Sequence, residues 1–208
     1  MSTIKANYLK KHPAFQGLSD DAIEQLSKAS ELLSFEAGQP ICKRSLIPNQ
    51  IIIIIEGSAR LLIEEDGKPQ TLKKLGVNDI VGLASILQTS GCEEVAACEI
   101  LHGIAISDSE IVRCVNEESS FRHWCQSNLF EAELYSILQL VLKSDTLNGR
   151  LSKQSFILAK EAAITIKPIP EEFKNAVTND RKVFVGSANT INRTLGEELF
   201  IKDGLPAV

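Results

Sequence analysis

The segment Gln50 to Gly57 reads QIIIIIEG: five β-branched side chains in succession between polar ends. Such a run makes a poor helix interior and a good strand. Without polar alternation it predicts a strand buried on both faces, with Ile51, Ile53 and Ile55 pointing inward, and Gly57 marks a bend or a close backbone approach. Arg60 to Glu64 resumes as a strand, Asp66-Gly67 is a hairpin turn, and Thr71 to Leu75 returns. Gly76 and Asn78-Asp79 turn again before Val95 to Glu99 and Leu101 to Ile106 complete the set. Short strands separated by turn signals at roughly 8–12 residues predict a β-roll or jelly-roll barrel.

Helical periods flank these strands. Ser19 can cap a helix whose first turn carries Asp20 and Asp21, with Leu18 stapling onto Ile23. Ile23, Leu26, Ala29 and Leu33 then recur at helical spacing and predict a helix of about four turns. From Ser119 to Leu142 a long helix is predicted, with Phe121 and Trp124 near its start and Phe130, Leu134, Ile137 and Val141 as an apolar seam. That seam either packs on the barrel of its own chain or pairs with a second copy in a homodimer. Beyond Gly149, Ser152 to Ala163 reads as helix and Ile164–Ile166 and Val183–Val185 read as strands. The predicted class is therefore α+β: an antiparallel β-roll flanked by helices over residues 1–148, and a small α+β appendage or linker region over 149–208.

Composition changes this picture little. The chain has 208 residues, 44% of them hydrophobic and 24% charged. Its net charge of −5 argues against broad binding to nucleic acid, so none is expected as a partner. Five cysteines without a CxxC pair make a disulfide framework or zinc ribbon an unsuitable reading. The start lacks the apolar run of a signal peptide, and no stretch approaches the ~18 apolar residues of a membrane span. A cytoplasmic setting is expected, either free or as the cytoplasmic part of an inner-membrane protein.

The strand and glycine pattern resembles the cyclic nucleotide-binding domain family. The resemblance is carried by FEAGQPI (Phe35–Ile41), IIIIIEGSARLL (Ile51–Leu62), LKKLGVNDIVGLASIL (Leu72–Leu87) and the strand Val95–Cys98, with Gly38, Gly57, Gly76 and Gly82 at matching turns. It covers roughly Phe15 to Leu142. What it implies is a ligand cassette at Gly82, Leu83, Ala84 and Ser85, where a helix start offers free amides to a cyclic phosphate, and at Glu94, Val95 and Ala96 on the returning strand. The family holds the ribose with a glutamate just after the glycine, where this chain has Leu83. It neutralises the phosphate with an arginine at the start of the returning strand, where this chain has Glu94. An anion about 4 Å from another costs about 4 kcal/mol at an effective dielectric of about 20, so the cassette is expected to be degenerate and to bind cyclic nucleotides negligibly. Two alternatives stand beside that expectation. Glu93 and Glu94 pair with a cation such as Lys73 or Lys74 and turn away, leaving a true cyclic-nucleotide-binding module, or the pocket takes a neutral or cationic small-molecule effector.

Other function classes fit less well. A catabolite-activator-like transcription regulator needs a helix-turn-helix, and residues 150–208 show strand-like segments and mixed charge instead. An enzyme is not expected: His12, His102 and His123 are scattered, and no nucleophile elbow, P-loop, dinucleotide fingerprint or metal-ligand cluster is present, so no catalytic residue, metal or cofactor is assigned. Domains of the resembled family also stand at the front of some bacterial peptide- and toxin-secreting ABC exporters. The tail KVFVGSANTINRTLGEELFIKDGLPAV resembles the connecting segment there. That likeness implies a regulatory domain whose partners are the other domains of a larger transporter.

Overall fold

The computed structural model describes residues 2–128 and 130–142, together with positions 153, 156, 157, 201, 202, 205 and 206. It divides into two compact units, Met1–Cys125 and Gln126–Val208. The predicted 149–208 segments Ser152–Ala163, Ile164–Ile166 and Val183–Val185 lie outside the described residues, apart from helical positions at 153, 156 and 157.

The first unit opens with α1 (Ser2–Lys11), a 3-10 turn (Pro13–Phe15) and α2 (Asp20–Ala29). Ser19 Oγ caps α2 by accepting from Ala22 N at 3.1 Å, as the sequence indicates. The helix stops at Ala29, however, and Leu33 belongs to β1 (Glu31–Phe35). There Leu33 lies opposite Gly103 of β8, so strand pairing overrides the helical spacing of that leucine. The remaining strands are β2 (Pro40–Cys42), β3 (Gln50–Glu56), β4 (Ala59–Glu65), β5 (Lys68–Leu75), β6 (Ile80–Val81), β7 (Val95–Ala97) and β8 (Leu101–Ser107).

They form two antiparallel four-stranded sheets, ordered β1-β8-β3-β6 and β2-β7-β4-β5. This is the predicted roll, made of two sheets rather than a closed barrel. In β3, Ile51, Ile52, Ile53 and Ile54 are all buried, which is the both-faces burial expected of the isoleucine run. Ile55 departs from the expected inward row and is half-buried. The cause is a bulge: Ile54 pairs with Gly103 and Glu56 with His102, leaving Ile55 as the extra residue. The β4–β5 hairpin closes through Asp66 (φ 52°) and Gly67 (φ 75°), both left-handed, as a two-residue primed turn requires.

Helices α2 and α4 (Asp108–Glu117) pack on β8, and α4 also packs on β3. Helix α4, which periodicity did not bring out, is capped by Ser107 Oγ and buries Ile111 and Cys114. The helix predicted over 119–142 is two helices: α5 (Ser119–Ser127) and α6 (Glu131–Leu142). Phe121 is buried and stacks on Phe15, with ring centroids 5.3 Å apart and planes 5° from parallel. Its ring thus belongs to the core of the first unit.

In the second unit, α6 buries Ala132, Glu133, Leu134 and Tyr135, and Tyr135 meets Phe156 edge-on at 5.5 Å. Leu134, one of the four seam residues, is 1% exposed in the single chain and presents no surface to a second copy. Phe130 is half-buried, while the side chains of Ile137 and Val141 lie outside the described residues. A two-residue pair, β9 (Ile201–Lys202) with β10 (Leu205–Pro206), is antiparallel.

Candidate functional site

The cassette begins where β6 stops at Val81. Gly82 turns the chain with φ 91°, a left-handed value that penalises any side chain. A Cβ there would also lie 3.0 Å from Gln50 O and 3.2 Å from Pro48 Cγ. Both conditions select glycine. The short helix α3 (Leu83–Gln88) follows, and the chain leaves it at Thr89 with φ 54°. At Gly91 the returning segment runs against the β2–β3 loop so closely that a Cβ would fall 2.4 Å from Arg44 O.

The amides at the start of α3 are already occupied, and the occupant is Glu93. Its Oε1 accepts from Gly82 N at 2.8 Å, and its Oε2 accepts from Ser85 N at 3.0 Å and Ser85 Oγ at 2.9 Å. The Ala84 amide is a further backbone donor to the same carboxyl. Ser85 Oγ in turn accepts from Cys92 N at 3.2 Å and Glu93 N at 3.3 Å, and stands 3.5 Å from Cys92 Sγ. Glu93 is 6% exposed. Burial pushes its carboxyl above the ordinary range, and the Ser85, Gly82 and Ala84 donors pull in the opposite direction. The neighbouring Cys42 thiol is pushed up to about 12, first by burial and then by the Glu93 charge.

Glu94 takes a different place from the one the resemblance implied. Its Oε2 accepts from Arg44 N at 2.9 Å, and its main-chain oxygen accepts from Leu62 N at 2.7 Å. The Arg44 guanidinium donates to Leu62 O at 2.8 Å, so Glu94 joins the β2–β3 loop to β4. The acid that meets the cassette amides is thus Glu93, one residue earlier. Strand parity contains the signal that finds it. Val95 and Ala97 are buried and Ala96 is not, so an inward set read backwards from β7 includes 93 and excludes 94. Neither acid pairs with Lys73 or Lys74 through a salt bridge of the described residues; Lys73 Nζ lies 3.8 Å from Asp79 instead.

The other expected cassette residues fall as follows. Leu83, Ala84 and Ser85 are fully buried, so Leu83 is a core side chain where the resembled family places its ribose ligand. Val95 pairs with Cys42 and Leu61, and Ala96 pairs with Pro40 and Arg60. Two cavities adjoin this region. One of about 330 Å³ is lined by Cys42, Lys43, Leu46, Pro48, Ile52 and Gly82 among others. The other, about 550 Å³, touches Arg44, Leu62, Glu64 and Glu94. Glu93 lines neither.

A second polar cluster lies between α1 and the turn before β6. Tyr8 Oη donates to Asn78 Oδ1 at 2.7 Å, and His12 Nε2 lies 2.9 Å from Asn78 O. Ala14 N donates to His12 Nδ1 at 3.1 Å, which makes the imidazole neutral with its proton on Nε2. Burial lowers the His12 pKa, and the contact with Asn78 O and the charge of Asp79 oppose that shift. His102 pairs opposite Ser34 in the sheet, and His123 is exposed on α5. Among the described residues no group of three or more His, Cys, Asp or Glu is placed to hold a metal ion, and no helix is long and apolar enough to cross a membrane.

Comparison with known proteins finds a family likeness over part of the chain. Residues 32–121 match the model of the cyclic nucleotide-binding domain. This segment is similar to a cyclic nucleotide-binding domain. Solved structures agree at the level of fold. The regulatory domain of Toxoplasma gondii PKA with cAMP is 17% identical at a TM-score of 0.54, matching 59% of this chain and 48% of that one. The regulatory subunit of a cAMP-independent protein kinase A from Trypanosoma cruzi, bound to guanosine, is 20% identical at 0.57, matching 70% of this chain and 50% of that one. The chain therefore spans about half the length of these structures. No curated protein matches its sequence. The family match and these structures agree on one fold for the first unit's strands.

Proposed function

We propose that this module is non-catalytic and that its phosphate cassette is degenerate, closed by the chain's own Glu93, so that cyclic AMP and cyclic GMP are not its effectors. One observation carries the reading: the Glu93 carboxylate accepts from Gly82 N, Ser85 N and Ser85 Oγ, the donors at the start of α3 that a cyclic phosphate would use. A ligand phosphate has to displace a covalently tethered acid or sit beside its charge. Leu83, fully buried, offers no acceptor to a ribose hydroxyl. Any effector is then a neutral or cationic small molecule.

The likeness of residues 182–208 to the connecting segment of peptide- and toxin-secreting exporters supports a setting in which the module signals to other domains of a transporter. Titration calorimetry with cyclic AMP and cyclic GMP tests the central claim. The expected result is no saturable binding tighter than about 1 mM, equivalent to about 4 kcal/mol. Micromolar binding would overturn it and establish a true cyclic-nucleotide module. The double variant Leu83→Glu with Glu94→Arg is expected to bind no better than the wild type, because Glu93 stays on the amides.

A further inference from the structure

A cavity of about 330 Å³ lies between β2, the β2–β3 loop and the glycine that opens the cassette. Its wall is largely apolar: Ile41 from β2, Leu46, Ile47 and Pro48 from the loop, Ile52 from β3 and Val81 from β6. Leu83, Ala84, Ser85, Glu93 and Glu94 do not line it, so it is separate from most of the donors that Glu93 occupies. Gly82 is common to both, since it lines the cavity and donates its N–H to Glu93.

Leu46 and Ile47 stand in this wall and are nonetheless 60% and 52% exposed. Single exposed apolar residues are ordinary, but these two are adjacent, border a hollow and sit on an anchored loop. Leu46 N donates to Lys43 O at 3.0 Å, Arg44 N to Glu94 Oε2 at 2.9 Å, and Asp108 N to Asn49 O at 2.9 Å. The loop also backs onto Gly91, whose Cβ would fall 2.6 Å from Leu46 O. These contacts hold the pair in water at the edge of an apolar space, and an occupant of that space takes their surface out of water.

We propose that this cavity binds the domain's effector, an uncharged and largely apolar small molecule. Its size is about 9–13 non-hydrogen atoms, scaled from the roughly 150 Å³ that holds benzene. The proposal rests on the reading that Glu93 closes the cassette, and it narrows the effector from neutral or cationic to neutral. Charge decides the class. Among the described residues that line the cavity, Lys43 alone is charged, so no carboxylate is there to hold a cation and the lysine repels one. An anion meets Lys43 only at the exposed rim, where an ion pair contributes little, and its charge would otherwise lose water against Ile52 and Val81. The Cys42 thiol stays neutral, pushed up to about 12 first by burial. Asn49 and Gln50 add polar groups that can orient a hydroxyl or carbonyl. The larger cavity, about 550 Å³, instead carries charges of both signs in its wall, from Arg44, Glu64 and Glu94.

Three probes of similar shape and different charge test the site on the intact protein near neutral pH: 2-naphthol, 2-naphthoate and 2-naphthylmethylammonium. NMR titrations follow the methyl signals of Ile41, Ile47, Ile52 and Val81, with Ile111 of α4, outside the cavity lining, as reference. The expected result is saturable shifts with 2-naphthol at a Kd below about 1 mM, confined to the cavity methyls, and binding at least about tenfold weaker for both ions. Leu46→Asp and Ile47→Asp, at exposed positions that spare the core, are each expected to weaken naphthol binding about fivefold or more. The absence of saturable shifts, an ion that binds within about tenfold of naphthol, or undiminished binding by the two variants would each overturn the site. A failed naphthol titration leaves the closed cassette untouched, and micromolar binding of cyclic AMP by calorimetry overturns that closure instead.

Discussion

The cassette and the latch that Tyr8 and His12 form with Asn78 solve one problem with opposite chemistry. Each buries a titratable side chain against the main chain of a turn that flanks β6, with Glu93 at 6% and His12 at 3% exposure. In the cassette an acid collects donors: Gly82 N, Ser85 N and Ser85 Oγ all point at one carboxylate. In the latch a neutral base is threaded between one donor, Ala14 N, and one acceptor, Asn78 O. Burial favours the uncharged form in both, so the Glu93 pKa rises and the His12 pKa falls. The difference lies in what a proton does. At the latch it lands on Nδ1 and breaks the single contact with Ala14 N; at the cassette it lands on a carboxyl that holds several donors at once, Gly82 N, Ser85 N and Ser85 Oγ.

The largest effect expected from breaking this comparison is at Glu93. Glu93→Ala strands several buried donors, each worth about 1–3 kcal/mol when left unsatisfied, so a loss of about 3–5 kcal/mol is expected in urea unfolding. A change under about 1 kcal/mol would mean that water replaces the carboxylate without cost, and that the acid is not what organises α3.

Next comes pH. His12 has a folded pKa below the ordinary 6.5, so the unfolded chain binds more protons there. Its contribution to stability is complete above 6.5 and is lost as pH falls through that value toward the depressed one. Glu93, with a folded pKa above the ordinary 4.5, has the opposite slope: its contribution is present below 4.5 and is lost as pH rises through the elevated value. Unfolding free energies measured from pH 8 to pH 4 on wild type and His12→Gln separate the two. Removing the imidazole is expected to abolish the acid-side loss that begins near 6.5. An identical profile for both proteins would show that His12 does not titrate with folding.

The smallest effect belongs to the adjacent acid. Glu94→Gln keeps an acceptor for Arg44 N and forfeits only the charge on a half-buried contact, so it is expected to cost no more than about 1 kcal/mol. Parity with Glu93→Ala would erase the distinction drawn between the two neighbours.

That distinction marks where sequence reading reached its limit. The hairpin at Asp66-Gly67, the Ser19 cap and the buried isoleucine strand were legible because each is decided within a few residues. The left-handed turn at Gly82 was legible from the glycine pattern. Its acid was misplaced by one position, because the resemblance was carried across a loop between α3 and β7 in which a residue count does not fix which side chains turn inward. The single long helix expected over 119–142 and the four-turn helix through Leu33 failed for a related reason. An apolar residue at helical spacing is also compatible with a break, and strand β1 claims Leu33 through its pairing with β8.

What the sequence by itself determined is therefore local: β-branching, cap chemistry, left-handed turn residues and the parity of short strands. Those suffice for an antiparallel roll with helices around it and a glycine-led cassette. Tertiary structure alone decided that the cassette amides meet Glu93 and that Glu94 faces Arg44. Those partners lie 8–11 and 50 residues away in the chain, brought together by strand pairing and close backbone contact at Gly91. A carboxylate carries no information about which donors it will find. Burial and the geometry of the surrounding main chain supply that.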